Sequence, residues 1–250
     1  MSGHSHWAGI KHKKARVDKV RGRAFSRLSK AIMSASRRGG KSPDTNLELQ
    51  YAIDAAKAEN MPKDTIERAI LKGAGELAGQ QVESMRYEGY GSGGAAVMVD
   101  ILTDNRNRTT PQLRKIFDDH GGKLGTSGCV AWNFETKGMF LVELGERDPD
   151  EVFDLAVEAG AEDFRAEGDL HEVVCPVTEF KSVLDALAGA GLKCESAEVS
   201  EVPTGYVDLG EDDGRKILKM MEDLSEHEDV TNVYSNFNLP DSLVEELGAQ

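Results

Sequence analysis

The fold is decided by residues 139–203, which begin "MFLVELGERDPDEVFDLAVEAG" (139–160) and continue "AEDFRAEGDLHEVVCPVTEFKSVLDALAGAGLKCESAEVSEVP" (161–203). Short apolar or alternating runs predict strands at 139–144, 162–167, 170–176 and 194–203, whereas apolar steps of three and four predict helices at 148–160 and 178–191. The resulting order, βαββαβ, is that of the ferredoxin-like split βαβ motif. We therefore expect an inserted ferredoxin-like α+β domain over residues 137–203.

The segments on either side of this domain carry strand and helix patterns of their own. Strands are predicted at 84–91, 95–104, 128–138, 205–210 and 230–240, and helices at 109–122 and 212–228. Because consecutive elements usually lie next to each other, residues 82–136 and 204–250 are expected to close into a second, discontinuous ferredoxin-like α+β domain around the first.

The first 75 residues have a helical period instead. Apolar positions from Val17 to Ala35 mark one helix, "SPDTNLELQYAIDAAKAEN" (42–60) a second and "MPKDTIERAILKG" (61–73) a third; Asp44, Thr45 or Asn46 is expected to cap the second. The predicted fold class is thus α+β multidomain. A basic N-terminal three-helix-type domain (1–75) precedes two ferredoxin-like α+β domains, one inserted in the other.

Charge is distributed unevenly along this acidic chain. The net charge is −14, yet residues 1–41 hold twelve Lys and Arg against one acid, a local net of +11. A sign split of this kind indicates a segment that binds nucleic acid, attached to an acidic body. The competing interpretation is a solvated helix face, but such a face normally mixes both signs.

We expect this basic arm, residues 7–38, to bind phosphates, since cations that neutralise phosphates release condensed counterions. Trp7 is a candidate for stacking on an unpaired base or, equally, for packing the arm onto the helices. The candidate nucleic-acid-binding residues are Trp7, Lys11, His12, Lys13, Lys14, Arg16, Lys19, Arg21, Arg23, Arg27, Lys30, Arg37 and Arg38.

A possible second contact site lies in "DNRNRTT" (104–110) and "KLGTSG" (123–128), with Arg106, Arg108 and Lys123 as its cations. The alternative is structural: a capped turn with a salt bridge to a neighbouring acid, in which Thr109 or Thr110 caps the next helix. The pattern favours the structural interpretation slightly.

Catalysis is not indicated by any motif. No Ser or Cys lies in a nucleophile motif, and the three separated cysteines and His4 with His6 do not make a convincing metal pattern. Gly89, Gly91 and Gly94 match a dinucleotide fingerprint formally, but a strand is predicted after them rather than a helix. We therefore expect no catalytic residue, metal or cofactor. The absence of a long apolar run and of a secretory signal predicts a cytoplasmic protein without a membrane segment.

Several stretches resemble the YebC/PmpR family, which includes the mitochondrial translational activator of cytochrome oxidase subunit I. They are "GHSHWAGIKHKKA", "RGRAFSRL", "NMPKDTIERAI", "YEGYGSGG", "DNRNRT", "GGKLGTSGCVAW", "AGAEDF" and "AGLKCESAEVS". The resemblance implies an N-terminal helical domain followed by two α+β domains. It also implies either a DNA-binding transcriptional regulator or a translation factor that acts at the ribosome on difficult sequences such as proline runs.

Together these observations predict a monomeric, non-enzymatic regulator whose partners are DNA, ribosomal RNA or the ribosome. Physical arguments favour structured RNA, because the sequence shows no recognisable DNA-recognition helix or dimer element. An RNA-processing enzyme and a purely protein-binding module are the alternatives from other classes.

Overall fold

A computed structural model describes residues 5–6, 21–76, 83–103, 105–145, 147–167 and 170–248. Three helices come first, α1 (Arg21–Gly39), α2 (Leu47–Ala58) and α3 (Lys63–Gly73), and strand-rich sheets follow. The expected α+β class is confirmed. Residues 17–20, where the first helix was expected to begin, lie outside the described residues.

The three helices share one apolar core, which is centred on Ile32, Leu49, Ile53 and Ile66. Asn46 joins two of the helices: its side chain accepts a hydrogen bond from Leu49 N, capping α2, and donates to Ala35 O and Gly40 O at the end of α1. The cap is thus Asn46 rather than Asp44 or Thr45. One amide side chain satisfies backbone groups at both helix ends.

The discontinuous sheet is built from β2 (Glu83–Tyr90), β3 (Ala96–Thr103), β4 (Lys123–Leu124) and β10 (Val230–Ser235). Its strand order is β10-β3-β2-β4, and all its neighbouring strands are antiparallel. Helices α4 (Arg106–Asp119) and α7 (Glu211–Glu226) cover one face, where Val97, Val99, Phe117, Ile217 and Met220 form the core.

The inserted sheet contains the predicted βαββαβ unit. Its elements are β5 (Phe134–Glu143), α5 (Pro149–Glu158), β6 (Asp163–Glu167), β7 (Leu170–Cys175), α6 (Phe180–Gly189) and β8 (Lys193–Pro203). The strand order of the inserted sheet, β6-β7-β5-β8, is that of the split βαβ motif. The discontinuous sheet has a different order, in which the consecutive strands β2 and β3 pair at the centre. The domain boundaries proposed from the sequence stay a prediction.

A third, small sheet joins the two ends of the chain. Strand β1 (Ser5–His6) pairs antiparallel with β11 (Phe237–Leu239), which pairs parallel with β9 (Val207–Asp208). Helix α8 (Asp241–Gly248), which the sequence pattern did not predict, follows β11. His6 lies opposite Asn238, so the residue just before the basic arm is paired with the C-terminal part of the chain.

Two predicted strands have different bounds in the structure. The run 128–138 is not a separate strand, because a 3-10 turn (Ala131–Asn133) precedes β5 and that strand continues through Gly138. Gly138 lies within the strand, where a Cβ would come within 2.7 Å of the Phe180 ring and 2.8 Å of Cys175 Sγ. The run 230–240 divides at Asn236, whose side chain bonds Ala96 N and Gly205 O, so that its halves join two different sheets.

Candidate nucleic-acid interface

The basic arm is described only from residue 21 onward, together with His6 just before it, so that these two parts flank residues 7–20. Seven of the predicted contact residues lie outside the described residues: Trp7, Lys11, His12, Lys13, Lys14, Arg16 and Lys19. Arg21, Arg23 and Arg27 lie in α1, but their side chains are not described. On one flank His6 is paired with β11, and on the other α1 packs against β10, where Asn232 donates to Ser34 Oγ. Both flanks are therefore attached to the strand-rich part of the chain.

Lys30 was predicted as a phosphate contact, and the structure corrects this. Its side chain is 8 % exposed, and its Nζ donates to the carbonyl oxygens of His227 at 2.6 Å and Ser225 at 3.3 Å. Burial lowers the pKa of Lys30, against the attraction of Asp229 and the neighbouring acids Glu228 and Glu226. A cation at the C-terminal end of α7 is electrostatically favourable there, so Lys30 fastens α1 to α7.

Arg37 and Arg38 lie in the last turn of α1, and both are exposed. Arg38 forms an ion pair with Glu48 of α2. A cleft of about 290 Å³ opens between α1 and the discontinuous sheet, lined by Ser34, Arg37, Arg38, Ser84, Met85, Arg86, Asp100, Ile101, Leu102 and Thr231. Arg86 is held there by Asp100 at 2.7 Å and by Glu201 at 2.8 Å. Two of the three arginines in the cleft thus already have acidic partners.

The turn before α4 matches the structural interpretation of "DNRNRTT". Asn105, rather than Thr109 or Thr110, caps α4, because its side chain accepts from Arg108 N at 3.1 Å. Thr109 is instead buried and donates to Asp229 Oδ2 at 2.6 Å. The Arg108 guanidinium donates to both Asp229 oxygens, at 3.1 and 2.8 Å. Arg108 therefore forms an ion pair within the chain although its side chain is 39 % exposed, and Arg106 is also exposed.

Asp229 is buried at the centre of this cluster. Burial alone would raise its pKa, but hydrogen bonds from Thr109, Arg108 and Thr103 together hold the pKa below its ordinary value. The carboxylate is therefore ionised and fully engaged, as a buried charge must be to avoid a large desolvation cost.

Lys123 is not brought together with Arg106 and Arg108. It is paired with Tyr90 at one end of β2, whereas Glu83, at the other end of β2, is paired with Thr103 just before the Arg106 turn. An eight-residue strand separates these ends by roughly 20 Å. The three cations predicted as one contact site lie at opposite ends of the discontinuous sheet.

Beside Lys123 the structure shows an aromatic surface that the sequence analysis missed. Trp132 is 74 % exposed and Tyr90 is 40 % exposed. Trp132 Nε1 donates to the carbonyl oxygen of Cys129 at 3.0 Å, and Tyr90 Oη donates to the same oxygen at 2.9 Å. The signal that was overlooked is a tryptophan within residues 120–134, a stretch that contains no Asp or Glu in a chain that has 44.

The loop that carries Trp132, residues 125–133, is shaped by one buried acid. The Glu88 carboxylate accepts hydrogen bonds from Gly128 N at 2.7 Å, Val130 N at 2.8 Å and Ala131 N at 2.8 Å. Burial alone would raise the pKa of Glu88, but these amides hold it below its ordinary value. Three charge-assisted bonds fix the backbone of the 125–133 loop.

Chemistry at the cysteines is not favoured. Burial raises the pKa of Cys175 and of Cys194 to about 11, and burial followed by the Glu88 charge raises that of Cys129. None of the three is therefore an activated thiolate. Within the part of the chain that the structure describes, no group of three or more His, Cys, Asp or Glu residues is arranged to hold a metal ion. Nor is any helix among those residues long and apolar enough to cross a membrane.

Comparison with known proteins adds the family. The sequence matches the model of the TACO1/YebC protein N-terminal domain over residues 5–76 and that of the TACO1/YebC second and third domain over residues 82–237. The chain belongs to the TACO1/YebC family. Relatives named "probable transcriptional regulatory protein" are similar to this TACO1/YebC chain almost from end to end. The one from Dictyoglomus turgidum is 47 % identical, over 99 % of this chain and 100 % of its own.

A second relative of the same name, from Pelotomaculum thermopropionicum, is 49 % identical to this TACO1/YebC chain over 96 % of it and 100 % of the relative. Among solved structures, a conserved hypothetical protein from Aquifex aeolicus is similar with a TM-score of 0.83 and 46 % identity. That similarity covers 94 % of this chain and 98 % of the other. Both the sequence and the fold therefore resemble those of known proteins.

Proposed function

We propose that this chain is a non-enzymatic regulator of gene expression that binds nucleic acid through its basic arm. The observation that carries the proposal is the charge of residues 1–41, a net of +11 in a chain with a net charge of −14. The relatives' name, probable transcriptional regulatory protein, agrees with a regulator. Cations held together in this way bind phosphate backbones without sequence preference, in a strongly salt-dependent manner.

The rest of the chain supports the arm as the main site of contact. Many cations of the strand-rich part are balanced by acids, as in the ion pairs Arg215–Glu246, Lys219–Asp223 and Lys181–Asp185. The acids in excess would repel a phosphate backbone, so nucleic acid is expected to approach from the side of the arm. With Lys30 and Arg38 engaged within the chain, the proposed contact set is the part of the arm before α1 together with Arg21, Arg23, Arg27 and Arg37 of α1.

The target is either DNA or structured RNA, and the sequences of helices α2 and α3 help to decide between them. Helices α2 and α3 are joined by four residues, a spacing that a DNA-binding helix-turn-helix would also show. The first turns of α3 carry Asp64 and Glu67 beside Lys63, however, and Lys63 lies 3.6 Å from Glu67. Acids at the N-terminal end of a recognition helix would oppose its entry into the major groove. We therefore favour RNA, with the ribosome as the principal candidate.

The test is sedimentation of the protein from growing cells in sucrose gradients at low and moderate salt. We expect the protein to co-sediment with ribosomes, and the triple variant Lys13→Glu, Lys14→Glu, Arg16→Glu to stay at the top. The matched control reverses three exposed charges of α2 and α3, Lys57→Glu, Lys63→Glu and Arg68→Glu, and should sediment like the wild type. If both variants behave alike, the arm is not the binding element.

Sedimentation of the wild type only at the top of the gradient would favour the DNA target instead. That target requires a promoter fragment to be bound at least about 10³-fold more tightly than random duplex at physiological salt. A ratio near one would exclude it. Binding that survives nuclease treatment of the lysate would point to a purely protein partner, and hydrolysis of RNA by the purified chain would point to an RNA-processing enzyme.

A further inference from the structure

The exposed rings of Tyr90 and Trp132 have their polar edges occupied. Because Tyr90 Oη and Trp132 Nε1 bond the same Cys129 oxygen, these two atoms lie within about 6 Å of each other. A buried ring usually needs a partner for its N–H or O–H group, and here both groups are satisfied while the rings stay exposed. What remains for an external partner is the flat apolar face of each ring.

The position of the two rings is fixed by the protein. Tyr90 is the last residue of β2, and Trp132 lies on the 125–133 loop, whose backbone is bonded to the buried Glu88 carboxylate. Beneath the loop, Val130, Phe134 and Tyr234 form a small buried cluster with residues of β3. A rigid platform loses little conformational entropy when a flat partner binds to it.

The electrostatic surroundings distinguish this place from the rest of an acidic chain. Lys123 is directly opposite Tyr90 in the β2–β4 pair, and residues paired in this way project from the same face of a sheet. Lys123 is exposed, and residues 120–134 contain no acid. Two acids of neighbouring segments have partners of their own: Asp213 accepts from Ser92 Oγ at 2.6 Å, and Glu135 lies 3.2 Å from Lys137 Nζ. The site thus offers two aromatic faces and a cation.

We infer that the Tyr90–Trp132 surface is a second nucleic-acid contact, which stacks an unpaired base of single-stranded RNA while Lys123 binds an adjoining phosphate. Aromatic faces next to a cation are the arrangement by which proteins hold single-stranded nucleic acid. The loop before Trp132 consists of small exposed residues, Gly125, Thr126, Ser127 and Gly128, which leave room for a sugar–phosphate backbone. This inference rests on the proposed function, and it adds a base contact to a phosphate contact.

The test measures binding of fluorescent RNA 12-mers to the full-length chain by anisotropy, with an oligoadenylate and an abasic 12-mer of equal charge. We expect Trp132→Ala to weaken oligoadenylate binding about tenfold and to leave abasic binding unchanged. Lys123→Ala should weaken both probes and reduce the slope of log K against log salt by about one. The matched control is Phe153→Ala, at a ring on α5 that is 44 % exposed, and it should bind both probes like the wild type.

A second readout reports on the ring itself. The chain has two tryptophans, so in a Trp7→Phe background the fluorescence comes from Trp132 alone. We expect oligoadenylate to quench this emission and the abasic 12-mer not to quench it. Equal oligoadenylate affinity for Trp132→Ala and wild type, without quenching, would overturn the inference and leave the proposed function intact. If neither probe binds the wild type, the inference is wrong and the arm does not bind RNA phosphates, which leaves DNA as the target to test. If Trp132→Ala loses a protein partner but no RNA affinity, the surface is a protein contact and the inference is wrong.

Discussion

Arg108 Nη2 lies 2.8 Å from Asp229 Oδ2, although 121 positions separate the two residues in the sequence. The pair joins the first turn of α4 to the segment between α7 and β10. Thr103 and Thr109 bond the same carboxylate, at 3.1 and 2.6 Å. This cluster therefore links β3, α4 and the segment between α7 and β10.

Arg108→Ala should lower the free energy of unfolding by about 1–2 kcal/mol, because it removes a charge-assisted hydrogen bond from a buried carboxylate. Arg106→Ala is the matched control, since Arg106 is exposed in the same turn, and it should change stability by less than about 0.5 kcal/mol. Urea unfolding followed by circular dichroism measures both. Equal losses would contradict an internal role for Arg108.

Asp229→Asn should destabilise the chain in a pH-dependent manner. The folded-state pKa of Asp229 is below its ordinary value, so its ionised form stabilises the fold. That contribution is complete above the unfolded-state pKa of about 4 and is lost as the pH falls through the folded-state pKa. The stability gap between variant and wild type should therefore narrow as the pH falls below about 4. Unfolding curves at pH 7, 5 and 3.5 measure it, and a gap independent of pH would exclude the carboxylate charge as its source.

Lys30→Met keeps the length of the side chain but removes the ammonium that bonds the carbonyls of Ser225 and His227. We expect a loss of about 1–3 kcal/mol, because these carbonyl groups lose a charged donor. Nucleic-acid affinity, measured under conditions where the variant is folded, should stay that of the wild type. A large loss of affinity with unchanged stability would restore Lys30 as a phosphate contact.

Gly73→Ala tests the close approach of α1 and α3. A Cβ at Gly73 would lie 2.4 Å from the backbone oxygen of Met33, so the two helices would have to separate. We expect a loss of about 1–3 kcal/mol from this overpacking. Gly189→Ala in α6 is the control, because nothing lies within 4 Å of its added Cβ. Because Gly189 is the last residue of α6 and is exposed, this change should alter stability by less than about 0.5 kcal/mol, and thermal unfolding distinguishes the two.

Local patterns predicted most of the elements, because helix and strand periods depend on neighbouring residues. The βαββαβ unit of residues 139–203 and the helix α7 followed from periodicity alone. Contacts across the chain did not follow. Lys30 looks like any other lysine of the basic arm, and only its bond to His227, 197 positions away, shows that it is internal.

Contacts between residues far apart in the sequence also explain why the strand boundary at Asn236 was misplaced and why the exposed Trp132 was missed. Asn236 divides a continuous strand pattern because its amide bonds Ala96 and Gly205, which no local window contains. Trp132 lies in a run that reads as a buried strand, and its exposure follows from the way Glu88, 40 or more positions earlier, holds the loop. Tertiary hydrogen bonds override local preference at these places.

The pairing of His6 with β11 sets a limit on how far the basic arm extends from the body. Fully extended, the chain from His6 to Arg21 has a contour length of about 50 Å, so no residue between them reaches further than about 25 Å from the nearer anchor. That distance is about three screening lengths at physiological ionic strength. A phosphate bound at the middle of the arm would therefore be largely screened from the acidic body, whereas one bound near either anchor would feel its repulsion. If the arm binds nucleic acid as proposed, it would therefore work as a short tether with both ends attached to the body, and not as a free tail.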